Sequence, residues 1–193
     1  MNSSNGSKRH YTSNMGKKST HREPQNISDE DLARYWTPCG LSRWSPTSLA
    51  KLAIPEMSKQ FLISIGLPKE ISYWNLKFHD RVPTQQRPDC GRTIYQIGAG
   101  YGYTIGIDGS GSGAVVAISD DERLESFINA SVRQLAVFLL LNQRAVDVVK
   151  KLSTKKWLAF AAQTEGLMLK VDSTALSNPD NFWPFVLRDM RMV

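Results

Sequence analysis

The sequence predicts a single α+β domain in which a twisted, mostly antiparallel sheet packs against helices. The run from Leu135 to Leu141 is apolar nearly all round, so a helix there must be covered on more than one side. Between Thr93 and Ser119, short apolar runs are separated by Gly-rich turns, leaving no room for the crossover helices that parallel strands need. Helical periodicity resumes on both sides of this strand run. With 193 residues, 41% of them hydrophobic and 22% charged, the chain fills one core comfortably and two poorly.

The elements follow in order. Residues 1–26 hold little that is apolar and are expected to be a disordered basic tail, leaving 27–193 as the folded domain. Ser28 to Asp31 reads as a capping box with acids in the first helical turn, and Ile27 is placed to staple against Leu32. That helix is expected to run to about Trp36, before Thr37-Pro-Cys-Gly40 breaks it. A second helix spans Pro55 to Ile65, with Met57, Phe61, Leu62 and Ile65 at helical spacing. Gly66 is a natural C′ residue, and Pro68 blocks continuation.

From Tyr73 the period shifts to two, and Trp74, Leu76 and Phe78 alternate with polar partners as in a half-buried strand. A polar loop is expected around Gln85 to Asp89. Strands follow over Thr93 to Gly98, Tyr103 to Asp108, Ala114 to Ser119 and Leu124 to Ile128. Ser131 is a good N-cap for the central helix, because its hydroxyl is placed to accept from the Gln134 amide while the Gln134 side chain reaches back. This helix is expected from Val132 to about Leu152. Another starts near Ser153-Thr154, the stretch Leu167 to Val171 fits helix and strand equally, and Asp180 opens a final amphipathic helix through Phe182, Trp183, Val186, Leu187 and Met190.

Charge is unevenly placed. Lys8, Arg9, Lys17, Lys18 and Arg22 against Glu23 give the tail +4 of the formal +6, and the other 19 basic and 17 acidic side chains leave only +2. A nucleic-acid partner is therefore expected only through the tail, which carries a single aromatic residue for stacking. In the body, Asp108, Asp120, Asp121, Glu122 and Glu125 collect at strand ends, while Arg144, Lys150, Lys151, Lys155 and Lys156 collect near the end of the central helix. No apolar signal segment or membrane-length run is present, and two cysteines, Cys39 and Cys90, give no disulfide framework, so a cytoplasmic protein is expected.

Catalytic chemistry finds little support. The cluster Gly98-Ala-Gly-Tyr-Gly-Tyr103 departs from a dinucleotide fingerprint at Tyr103 and leads into a strand, and Gly109-Ser-Gly-Ser-Gly113 fits a hairpin loop. His79 is the one histidine outside the tail. His79-Asp80 would be the starting point for a hydrolase, but neighbours on a strand point to opposite faces. Zinc would require Cys39, Cys90 and His79 to converge without any Cys-x-x-Cys pair. No catalytic residue, metal or cofactor is expected.

Four pieces, in order, resemble the SUKH superfamily (Syd, US22 and Knr4 homology), and most closely its SUKH-4 type immunity proteins. Phe61-Leu-Ile-Ser-Ile-Gly-Leu-Pro68 is similar to the early F-L-x-x-I-G-L-P motif. Ile105-Gly-Ile-Asp108 with Gly113-Ala-Val-Val116 resembles the paired I-G-x-D and G-x-V strands, and Phe127-Ile-Asn-Ala-Ser131 resembles the N-x-S lead into the main helix. Val171-Asp172, Ala175-Leu176 and Trp183 are similar to the closing I-D-P-x-A-L…W pattern, with Ser173 in place of the usual Pro. The resemblance spans roughly Ile27 to Arg188. It implies a bacterial α+β immunity domain, usually without catalytic residues, that neutralises a polymorphic or contact-dependent toxin by binding it through a variable surface. For that surface, Tyr101 and Tyr103 in a Gly-rich turn offer contact area, Tyr101 as the expected anchor and Tyr103 expected rather to pack across neighbouring strands, with Asp120, Asp121 and Glu122 as an acidic rim.

Overall fold

The computed structural model describes residues 27–72, 75–81, the backbone of 84–87, 91–100, 102–121, 124–149 and 151–191. Helix α1 (Asp29–Trp36) opens with the expected capping box: the Asp31 amide donates to the Ser28 hydroxyl at 3.1 Å, and the Ser28 amide donates to the Asp31 carboxylate at 3.2 Å. A 3-10 turn (Thr37–Cys39) leads to β1 (Leu41–Ser42), which pairs with β2 (Leu67–Pro68) as a small separate ribbon. Between them lie α2 (Pro46–Leu49) and α3 (Glu56–Ser64). At the exit of α3, Gly66 sits at φ +81°, and a Cβ there would fall 2.2 Å from the Ser42 carbonyl oxygen. Only glycine allows β1 to approach so closely. The buried face of α3 is Ser58, Phe61 and Leu62, which leaves Met57 on the flank, 75% exposed, rather than in the expected apolar stripe.

The main sheet is antiparallel throughout the described residues, in the order β3 (Glu70–Ile71), β4 (Leu76–Phe78), β6 (Arg92–Gly100), β7 (Tyr103–Asp108), β8 (Val115–Ser119), β9 (Glu125–Asn129). Strand β5 (Thr84–Arg87) also pairs with β6, Thr84 opposite Tyr95 and Arg87 opposite Arg92. This corrects the polar loop expected around Gln85: a strand forms because β4 covers only the Gly98–Ala99 end of β6 and leaves the rest of that side open for pairing. Trp74, expected in the preceding strand, lies outside the described residues.

Helix α4 (Val132–Val149) is the centre of the core. Its buried residues include Val132, Leu135, Phe138, Leu140 and Ala145, on all sides of the axis. It packs against α1, α3, β9 and α5 (Thr154–Val171), so the all-round apolar run is covered as its composition requires. The helix is described as far as Val149, with Lys151 and Leu152 outside it, short of the expected end, and the ambiguous stretch Leu167 to Val171 is the end of α5. A short α6 (Thr174–Ser177) and α7 (Phe182–Arg191) then pack over β9, with α7 also against α5. At the start of α4, the Gln134 side chain reaches back to the Ser131 hydroxyl, which donates to its Oε1 at 3.0 Å, rather than to the Ser131 amide, and donates its own amide to the Val171 carbonyl at 3.1 Å; the Ser131 hydroxyl caps the Gln134 amide at 3.3 Å.

The two faces of the sheet differ. Ile97, Ile105, Ile107, Val115, Ala117 and Ile128 join the main core, while Ile94, Val116 and Ile118 form a smaller cluster on the other face. Gly106 makes that second cluster possible, because a Cβ there would lie 2.2 Å from Ile94 Cγ2. On the same face Arg92, first residue of β6, donates to Asp108 at 2.5 Å and to Glu125, first residue of β9, at 2.9 Å. One guanidinium thus ties strands three apart in the order, which requires a strongly coiled sheet.

Candidate partner-binding site

At the end of the sheet where β6 turns into β7, the core face is not fully roofed. Tyr103 and Ile105 project from the same side of β7, Leu76 comes from β4, Leu124 precedes β9, and Phe182 and Phe185 come from α7; together they line a groove of about 700 Å³. The reason lies in α7. Its core stripe is Trp183, Val186, Leu187 and Met190, so Phe185 falls off the stripe and stays 51% exposed. Tyr103 is 36% and Leu124 64% exposed. Three of the six large apolar side chains that are exposed among the described residues therefore gather at one concave surface.

Charged groups edge the groove. Arg188 lies over the Phe185 ring, 5.1 Å from its centroid, and Asp180 stands exposed just before α7, its carbonyl accepting from the Ser126 hydroxyl at 3.3 Å. The β8–β9 turn carries Asp120 and Asp121, both exposed, and is held against the β6–β7 turn by the Asp120 amide donating to the Gly102 carbonyl at 2.9 Å. The Ser119 hydroxyl donates to Asp121 at 2.6 Å. Of the residues expected to meet a partner, Tyr103, Asp120 and Asp121 stand together at this end of the sheet; Tyr101 and Glu122 lie outside the described residues. Asp108 and Glu125, grouped with these acids on sequence, are both held by Arg92, and of the two Glu125 also lines the groove. Burial pushes the Asp108 carboxyl up, but the Ser110 amide at 2.8 Å and Arg92 outweigh it and hold it below the usual carboxylate range.

Leu76, Leu124, Phe182, Phe185 and Arg188 were not singled out by sequence reasoning as site residues. Phe185 did carry a signal, as a large aromatic off the apolar stripe of its helix. His79 follows β4 with its amide bonded to the Ile97 carbonyl at 3.2 Å, and its Nδ1 is buried without a hydrogen-bond partner. Cys39 is exposed, Cys90 lies outside the described residues, and no group of His, Cys, Asp or Glu among the described residues is placed to hold a metal ion. Near the basic end of α4, Arg144 stacks over the Tyr35 ring at 5.6 Å and the Tyr35 hydroxyl donates to Asp147 at 2.9 Å.

Behind the groove lies a fully buried polar knot. The Asn129 side chain donates to Asp172 Oδ2 at 3.1 Å and accepts from Trp183 Nε1 at 2.9 Å; Asp172 also accepts from the Ala130 amide at 2.8 Å and the Ala175 amide at 3.3 Å. Trp183 packs in turn on Phe138 of α4, ring centroids 5.2 Å apart. The end of β9, the start of α6 and the start of α7 are thereby fixed to one another and to α4. The SUKH-4 immunity protein family model matches residues 27–189, a span that includes the Gly66 exit, Gly106, Asp108 and this knot. The chain belongs to the SUKH-4 immunity protein family. No curated protein and no solved structure matches it. In this SUKH-4 chain the motif residues Gly66, Gly106, Asn129, Asp172 and Trp183 hold close backbone approaches and buried hydrogen bonds, so they shape the scaffold that presents the groove. Among the described residues no helix is long and apolar enough to cross a membrane.

Proposed function

We propose that this SUKH-4 protein neutralises a bacterial toxin domain by binding it directly, without chemistry of its own, and that the groove between β7 and α7 is the docking surface. The family supports a toxin as the partner. The observation that carries the choice of surface is the gathering of Tyr103, Leu124 and Phe185, exposed and apolar, in one concavity. Side chains of this kind in a partly enclosed hollow are what binding hot spots are made of. Tyr103 and Phe185 sit on rigid elements, since α7 is locked through Trp183 and β7 is central in the sheet, so little ordering entropy is lost there on association.

The test takes a toxin domain found encoded beside this chain's gene and titrates it calorimetrically with the full chain. Phe185→Ala is expected to weaken the complex by about 2 kcal/mol or more, roughly thirtyfold, with the melting temperature nearly unchanged because the ring is half in solvent. Protection of cells from the toxin with no complex detectable at micromolar concentrations would contradict direct binding.

A further inference from the structure

We infer that the groove receives a basic segment of the toxin, one that presents a large apolar side chain between lysines or arginines. This rests on the proposed function and specifies the partner's chemistry at the same surface. The walls are apolar and aromatic, and about 700 Å³ is room for a bulky side chain together with its neighbours. The charged residues in its lining are Glu125, Asp180 and Arg188. Beyond the lining, Asp120 and Asp121 add two more exposed acids on the turn docked against Gly102, the residue before Tyr103. The cation at the edge, Arg188, lies over the Phe185 ring. Glu125 is engaged by Arg92, so the inference leans on Asp120 and Asp180.

An apolar hollow with carboxylates at its margin selects an apolar side chain flanked by cations, which fills the cavity while its neighbours reach the acids. It disfavours phosphate-bearing partners, whose charge has the same sign as the rim. The margin is solvated, so the acids act mainly by steering encounter and rejecting wrong partners, and salt weakens their effect.

The experiment measures association of the neighbouring toxin domain with the wild-type chain, Phe185→Ala, Asp180→Lys and the double variant Asp120→Lys/Asp121→Lys, at about 50 and 300 mM salt. All substituted side chains are at the surface, and matching melting curves confirm folding. The inference expects each charge reversal to slow association by roughly tenfold or more at low salt, with the difference shrinking at high salt. Reversals that leave the rate within twofold, or raise it, while Phe185→Ala still weakens the complex, overturn the inference and leave the proposed function standing. Absence of any complex with the wild-type chain overturns both. A chain that self-associates through this surface, shown by Phe185→Ala turning a dimer into a monomer with toxin affinity unchanged, also overturns it.

Discussion

Asn129 shows how much one buried side chain decides. It is wholly inaccessible, and its amide joins a carboxylate and an indole, so removing it strands the Trp183 indole and takes one of three donors from Asp172. A stranded buried group costs about 1–3 kcal/mol, and a lost hydrogen bond to a charged group about 1.5–3 kcal/mol. Asn129→Ala is therefore expected to lower unfolding free energy by roughly 2–5 kcal/mol in urea titrations, and a loss under about 0.5 kcal/mol would show the knot to be incidental. Asp108 makes a pH-dependent contribution. Its folded pKa lies below the unfolded value of about 3.9, so its stabilisation is present above that value and is lost as pH falls through the folded one. Melting temperature followed from pH 7 down to pH 2 should drop less steeply for Asp108→Asn than for the wild type, and equal acid limbs would assign the loss to other carboxylates. None of these partnerships was legible beforehand. The motif residues stood out in the sequence, but Asn129, Asp172 and Trp183 are separated by 43 and 11 positions, and only the fold brings them together.

At the scale of elements, local chemistry was readable where it acts alone. The Ser28 box, the Gly66 exit and the start of α4 at Val132 follow from short-range hydrogen bonding and backbone sterics, and the structure has all three. Strand β5 was not readable, since Gln85 and Gln86 carry no apolar alternation and their pairing depends on an open side of β6. Leu167 to Val171 was undecidable for a related reason: a short apolar run fits either period until a neighbouring surface selects one. The coiled sheet gives a test of its own. Gly106→Ala forces a methyl against Ile94 Cγ2 and the Tyr95 carbonyl, 2.2 and 3.2 Å from the position of the new Cβ. Overpacking of this kind costs about 1–3 kcal/mol, and Gly106→Ala should cost less in an Ile94→Ala background, which lacks Cγ2, than in the wild type if that contact is the cause.

For the whole molecule, the α+β architecture was legible because an all-round apolar helix and closely spaced strands admit few arrangements, and the family through the resemblance of four motif pieces in order. The groove was not, because Leu76, Tyr103, Leu124 and Phe185 come from four elements and only their convergence makes a concave surface. The fold then divides its labour: α4, covered all round, and the polar knot fix the scaffold, and the unroofed end of the sheet is left to meet a partner. Hydrogen exchange of the backbone amides, with and without the neighbouring toxin domain, tests this most directly. The account predicts slowed exchange in the complex at Gly102 to Ile105, Leu124 to Ser126 and Asp180 to Arg188. Protection confined to α1, α5 or the β5 edge, with these three segments unchanged, would contradict it.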